Sequence, residues 1–283
     1  MATASFNAIA IFDAIPNGEL STARRLYECL LDLPPDLKPS LHVRHYKIDT
    51  LAALKEAISA LEADTNASGL LPWIHIEGHG SRKEDGFETA NGEFCHWEAL
   101  KELVIPLNIA AKLNVIVILA TCFGGSFTST ITTTDRAPVL GLIGPVRDIK
   151  AGEVEIDFPA FYKTFLSTNS IKQSLEALTA RTEEKLYFAT NAQEFFYAVW
   201  HSYKRILCTP EMLGNRALEM QRKLTDAGMP AVPSVGELEK ILKNQEQPQF
   251  ESFCETYFMY DLYPESRERF QVTYERAESE SAR

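Results

Sequence analysis

The 283-residue sequence predicts a three-layer α/β sandwich, a mainly parallel central sheet flanked by helices, followed by a C-terminal helical annex. Three observations predict it. Short apolar runs alternate with amphipathic stretches, the pattern of parallel strands joined by crossover helices. The run at 115–120 (VIVILA) is apolar without a break, as a strand buried on both faces must be. Beyond Asn191 the strand-like runs cease and helical spacing takes over.

Each element follows in order. Residues 8–12 (AIAIF) form a buried strand, and 20–31 a helix. Residues 42–48 (HVRHYKI) alternate like a half-buried strand, and 50–62 form a helix capped by Asp49 or Thr50. A third strand at 72–76 (PWIHI) runs into GHGS. The polar insertion at 82–94 carries DG and NG, the turn pairs of a hairpin. A helix at 97–107 leads to the strand at 115–120, which ends in TCFGG. Residues 138–145 read as a strand, 158–166 and 171–182 as helices, and 185–190 as an edge strand. Helices at 192–207, 212–227 and 235–242 make up the annex, with an aromatic-rich stretch at 250–270. The expected organisation is an α/β domain over 1–191, a helical annex over 192–276 and a disordered tail over 277–283.

The composition removes several classes. Hydrophobic residues at 45% can fill a core. A net charge of −11 without a basic block argues against gripping a phosphate backbone, so no nucleic acid is expected. No stretch approaches the roughly 20 apolar residues of a membrane helix. The first apolar run lacks a positive flank and contains Asp13, so it reads as a strand and not a signal peptide. Five scattered cysteines without a CxxC pair argue against a disulfide framework or structural zinc, and for a reducing cytoplasm.

The chemistry lies in two residues. His79 and Cys122 each fall at or just past the carboxyl end of an expected core strand, where α/β sheets gather ligands and chemistry. If those strands are neighbours, both side chains emerge at one rim. A lone cysteine or histidine in such a place is ordinarily structural. The pairing of strand–HG with strand–TCxGG points to a thiol nucleophile and its base. The N–H groups of Gly80 and Cys122 would form the oxyanion hole, and Gly124 and Gly125 would let the chain turn beneath the nucleophile.

The blocks IHIEGHGS, DGFETANGEFCHWEALKELVIPLN and NVIVILATCFGG resemble the caspase-like clan of cysteine peptidases, and within it the CHAT domains related to separase. Those share a strand ending in HG, a DG-containing hairpin, a helix opening near a W/E-L pair and a strand ending in AC. The segments PVLGLIGP and FPAFYKTFLSTNSIKQSLEAL follow in matching order, so the resemblance spans residues 74 to 178. Thr121 stands where many relatives have a small residue. The resemblance implies a caspase-like sandwich with a His79–Cys122 dyad, no cofactor and no metal. It also implies an endopeptidase that cleaves a protein or peptide after a selected P1 side chain, restrained by a regulatory partner or by self-processing.

Other residues have narrower readings. His75, Glu77 and His79 share one strand face, which could form a metal comb if Cys95 or His96 folded back, but a fourth ligand is not evident. The stronger reading has Glu77 orienting or charging His79. Asp13, Asp148, Glu153, Glu155 and Asp157 lie near the same rim and would favour a basic P1 side chain. Arg82, Lys83 and Glu84 form a solvated loop or lid. Cys29, Cys254 and the cluster Phe253, Tyr257, Phe258, Tyr260 and Tyr263 read as core. Three rivals remain: a non-catalytic caspase-like interaction module, a metal hydrolase using His75, Glu77 and His79, and an acyl-transfer enzyme with the same dyad on another substrate.

Overall fold

A computed structural model describes residues 5–37, 40–181 and 186–281. The chain divides into two compact units: residues up to 131 with 137–192, and residues 132–136 with 193 onward.

Among its described residues the first unit holds nine strands, β1 (Ala8–Asp13), β2 (His42–Lys47), β3 (Pro72–Glu77), β4 (His79–Gly80), β5 (Gly86–Glu88), β6 (Phe94–His96), β7 (Ile116–Ala120), β8 (Gly141–Pro145) and β9 (Tyr187–Asn191). Its helices are α1 (Thr22–Leu31), α2 (Leu51–Ser68), α3 (Trp97–Ala110), α4 (Ala151–Thr168) and α5 (Ile171–Thr179). Six strands form the central sheet in the order β2-β1-β3-β7-β8-β9. Every pairing is parallel except that of the edge strand β9, which runs antiparallel to β8. This is the mainly parallel α/β sheet the sequence predicts. Residue 185, where the sequence starts the last strand, and residue 182, where it ends the preceding helix, lie outside the described residues.

Strands β1, β3 and β7 are buried at every position, which is why they read as apolar runs. Phe158 and Phe161 of α4 are fully buried, each worth roughly 1.5–3 kcal/mol of apolar transfer. Helix α2 starts as expected, with the Ala53 N–H donating to Thr50 Oγ1 at 3.1 Å. It runs past the expected end to Gly69, which closes it in the left-handed conformation at φ 69°. Helix α4 starts at Ala151, well before the expected 158. The Lys150 N–H donates to Glu153 Oε2 at 2.7 Å, and that cap secures a first turn with few apolar residues.

The second unit contains α6 (Ala192–Leu207), α7 (Pro210–Asp226), α8 (Val235–Asn244), α9 (Glu246–Tyr257), α10 (Ser266–Arg269) and α11 (Tyr274–Ser281). Phe196, Trp200, Phe250, Tyr257, Phe258 and Phe270 build its core. Within this unit Arg136 grips Asp261 with two hydrogen bonds, 2.8 Å to Oδ1 and 2.6 Å to Oδ2. The expected disordered tail is helical through Ser281. Ala277 is buried, His201 Nε2 bonds the Ala277 carbonyl at 2.8 Å, and Lys204 pairs with Glu278, so the helix has partners that the polar sequence conceals. Residues 282–283 lie outside the described residues. No helix among the described residues is long and apolar enough to cross a membrane.

Candidate active site

Strands β3 and β7 are neighbours in register, with Glu77 opposite Ala120. Two residues beyond each partner stand His79 and Cys122, so both emerge at one rim of the sheet. Gly78 ends β3, and His79–Gly80 then joins a separate three-stranded antiparallel sheet, β4-β5-β6. The expected hairpin is therefore a three-stranded piece that includes the histidine itself.

Gly80 lies directly against the backbone of Cys122. A Cβ on Gly80 would fall 1.9 Å from the Cys122 carbonyl oxygen and 2.8 Å from its nitrogen, so only glycine fits. The Cys122 sulfur is half-buried. The Ile149 N–H donates to it at 3.4 Å, and the Gly80 N–H also points at it. Burial pushes the thiol up from its ordinary value; the Asp148 carboxylate adds to this, while the Ile149 and Gly80 N–H groups oppose it.

The sharp turn after Cys122 differs from expectation. Phe123, not a glycine, takes the left-handed conformation at φ 56°. Gly124 is required for another reason: a Cβ there would stand 2.6 Å from the Leu119 carbonyl oxygen. A 3-10 turn, Gly124–Thr130, follows. Its Ser126 hydroxyl donates to Glu84 at 3.0 Å, tying the loop after β4 to the turn after Cys122. The Glu84 carbonyl also accepts from Trp97 Nε1 at 2.9 Å, so the loop is docked there, while Arg82, Lys83 and Glu84 are exposed as a solvated loop requires.

The acidic residues separate by position. Glu77 does not orient His79. It is 1% exposed, accepts from His75 Nε2 at 2.9 Å and also bonds the Thr22 hydroxyl. Behind it the Tyr162 hydroxyl donates to His75 Nδ1 at 3.2 Å. Burial holds the Tyr162 hydroxyl well above its ordinary value, with Glu77 adding to that. The three residues of the metal comb accordingly do not converge, because the break at Gly78 takes His79 off the strand. Cys95 and His96 lie in β6, paired to Phe87 and Gly86.

Asp13 is buried and turned toward β2, accepting from Lys47 Nζ at 3.2 Å and the Ile15 N–H at 3.1 Å, with His45 Nε2 at 3.3 Å. Burial alone would raise it, but the His45, Ile15 and Lys47 donors together bring it below its ordinary value. Glu153 caps α4, and Glu155 pairs with Arg25. Asp157 is buried and accepts from the Tyr187 hydroxyl at 2.7 Å; burial raises it. Of the five acids near the rim, Asp148 alone is both exposed and beside Cys122.

Two site residues escape the sequence reading. Ile149 reaches the sulfur through its backbone, and no side-chain signal marks such a contact. Glu19 bonds the His79 ring, Oε2 to Nε2 at 2.9 Å. It lies in a polar loop before α1, and nothing in its spacing links it to a residue so distant in sequence.

No family model matches the chain, and no curated protein matches it. Among solved structures it is similar to the Drosophila initiator caspase Dronc, at 12% identity over 68% of this chain and 82% of that chain, with a TM-score of 0.49.

Proposed function

We propose that the chain is a caspase-like cysteine endopeptidase, akin to the CHAT and separase type, with Cys122 as nucleophile and His79 as base. The observation that carries this is the packing of the Gly80 backbone on Cys122, which draws the histidine strand end and the cysteine strand end to one point at the sheet rim. There His79 takes the thiol proton and the thiolate attacks a peptide carbonyl. The N–H groups of Gly80 and Cys122 hold the oxyanion, His79 returns the proton to the leaving amine, and water hydrolyses the thioester. Asp148, exposed beside the sulfur, recognises a basic P1 side chain, whose positive charge offsets the carboxylate that adds to the upward push of burial on the thiol. Five free cysteines suit a reducing cytoplasm. A regulatory partner or self-processing restrains the enzyme.

A non-catalytic interaction module is the second reading. The observation that favours it is the upward shift of the Cys122 thiol, since a resting nucleophile is ordinarily shifted down.

The test measures the alkylation rate of each cysteine against pH by mass spectrometry, in the wild type and in His79→Ala, together with a peptide library screened for P1. The peptidase reading expects Cys122 to lose reactivity in His79→Ala, and cleavage after Arg or Lys that Cys122→Ala abolishes. Indifference of Cys122 to His79 puts the interaction module ahead. A P1 profile dominated by Asp or apolar residues removes the role of Asp148.

A further inference from the structure

We propose that Glu19 is the positioning residue of His79, making a Glu19–His79–Cys122 relay. The inference rests on the peptidase reading above and extends it by a residue that reading does not use.

The His79 side chain stands at the surface, 55% exposed, because the chain leaves the core sheet at Gly78. An imidazole in that setting samples several rotamers unless something holds it. Glu19 holds it, with Oε2 2.9 Å from Nε2. That contact makes Nε2 the protonated nitrogen of the neutral ring and leaves the lone pair on Nδ1, the ring atom left to accept a proton. When the proton arrives, the carboxylate faces an imidazolium, the charged species it stabilises.

A half-exposed ion pair by itself counts for little. What sets this one apart is how its loop is built. At the entry, the Ala14 N–H donates to the Glu77 carbonyl at 2.8 Å, and the Ile15 N–H donates to Asp13 Oδ1 at 3.1 Å. Lys47 Nζ also bonds the Ile15 carbonyl. Within the loop, Gly18 takes φ 95° and the Glu19 N–H closes a turn on the Pro16 carbonyl at 3.3 Å. At the exit, the Thr22 hydroxyl bonds the Glu77 carboxylate. One buried residue, Glu77, therefore ties down both ends of the loop that presents Glu19, and does so two positions before His79. The buried His75 and Tyr162 brace Glu77 in turn.

Glu88 supplies the control. It lies opposite His79 across β4 and β5, so it is a neighbouring carboxylate without the hydrogen bond to the ring. Asp148 faces the other partner, Cys122.

The experiment follows Cys122 alkylation against pH, with kcat and KM on a cleaved basic-P1 peptide, in Glu19→Ala, Glu19→Asp, Glu88→Gln and His79→Ala. Glu19→Ala is expected to slow Cys122 alkylation at neutral pH by about tenfold, the size of a one-unit change in proton affinity. Its pH midpoint should rise, and kcat should fall with KM held. Glu19→Asp should restore part of the rate, and Glu88→Gln should behave as wild type. If Glu19→Ala leaves rate and midpoint unchanged while His79→Ala lowers the rate, the relay is wrong and the dyad stands. If His79→Ala has no effect either, the relay and the peptidase reading fall together. Equal effects of Glu19→Ala and Glu88→Gln would overturn positioning in favour of diffuse charge.

Discussion

Gly80 and Cys122 touch backbone to backbone, with no room between them for a methyl group. That contact converts two strand ends into one site, because it fixes where the residue after the histidine lies relative to the cysteine. Gly80→Ala should therefore damage both fold and site. Relieving the overlap requires backbone movement, which costs about 1–3 kcal/mol or more. Thermal unfolding should show the loss. Cys122 should also lose its dependence on His79 in the alkylation assay, even where the protein is still folded.

Asp148 acts on Cys122 through charge. Burial is the larger influence on the thiol, and Asp148 pushes the same way, so the thiolate forms above the ordinary thiol range. Removing the charge in Asp148→Asn should move the alkylation profile to lower pH and quicken the reaction at pH 7 several-fold. The same variant should lose discrimination for a basic P1 side chain. A faster thiol with an unchanged P1 profile would separate the two roles and leave Asp148 only the first.

Glu77 never touches the His79 ring, yet its loss should be felt there. Breaking a buried pair strands its partner, so Glu77→Ala should cost about 3–5 kcal/mol. Glu77→Gln keeps the shape but sets an amide against the Thr22 hydroxyl or the His75 N–H, at about 1–3 kcal/mol. Urea titration measures both. Under conditions where Glu77→Gln remains folded, Cys122 alkylation should drop part of the way toward the Glu19→Ala level, because the loop exit at Thr22 is loosened while the backbone bond at its entry remains.

Asp13 should give the fold an acid-sensitive contribution. Its folded value lies below its ordinary one, despite burial, because His45, Ile15 and Lys47 donate to it. Stability from this source is fully present above the ordinary aspartate value, about 3.9, and is lost as pH falls through the lower folded value. Asp13→Asn should be less stable than wild type at neutral pH by about 1–3 kcal/mol. The two melting curves should converge on acidification.

What the sequence made legible is the part that hydrophobicity writes. AIAIF and VIVILA are apolar because both faces of the sheet are buried there, and strand ends mark the rim where His79 and Cys122 stand. What it concealed depends on contacts between distant polar residues. Period-2 spacing put His75, Glu77 and His79 on one face, and a single glycine undid that assignment by ending the strand. Glu153 and Asp157 read as rim acids, but a helix that starts at Ala151 makes one a cap and buries the other. Glu19 carries no pattern at all, since its meaning comes from a partner reached only after folding.

The short segment 132–136 belongs with the C-terminal helices although the chain makes it early, starting ten residues after Cys122. During synthesis Arg136 leaves the ribosome long before Asp261 exists, and its two hydrogen bonds wait for the last part of the polypeptide. A fragment cut at 191 would thus be no clean α/β half. It would carry an orphaned stretch that starts ten positions beyond Cys122, and the ribosome passes through that same unfinished state each time it makes the protein.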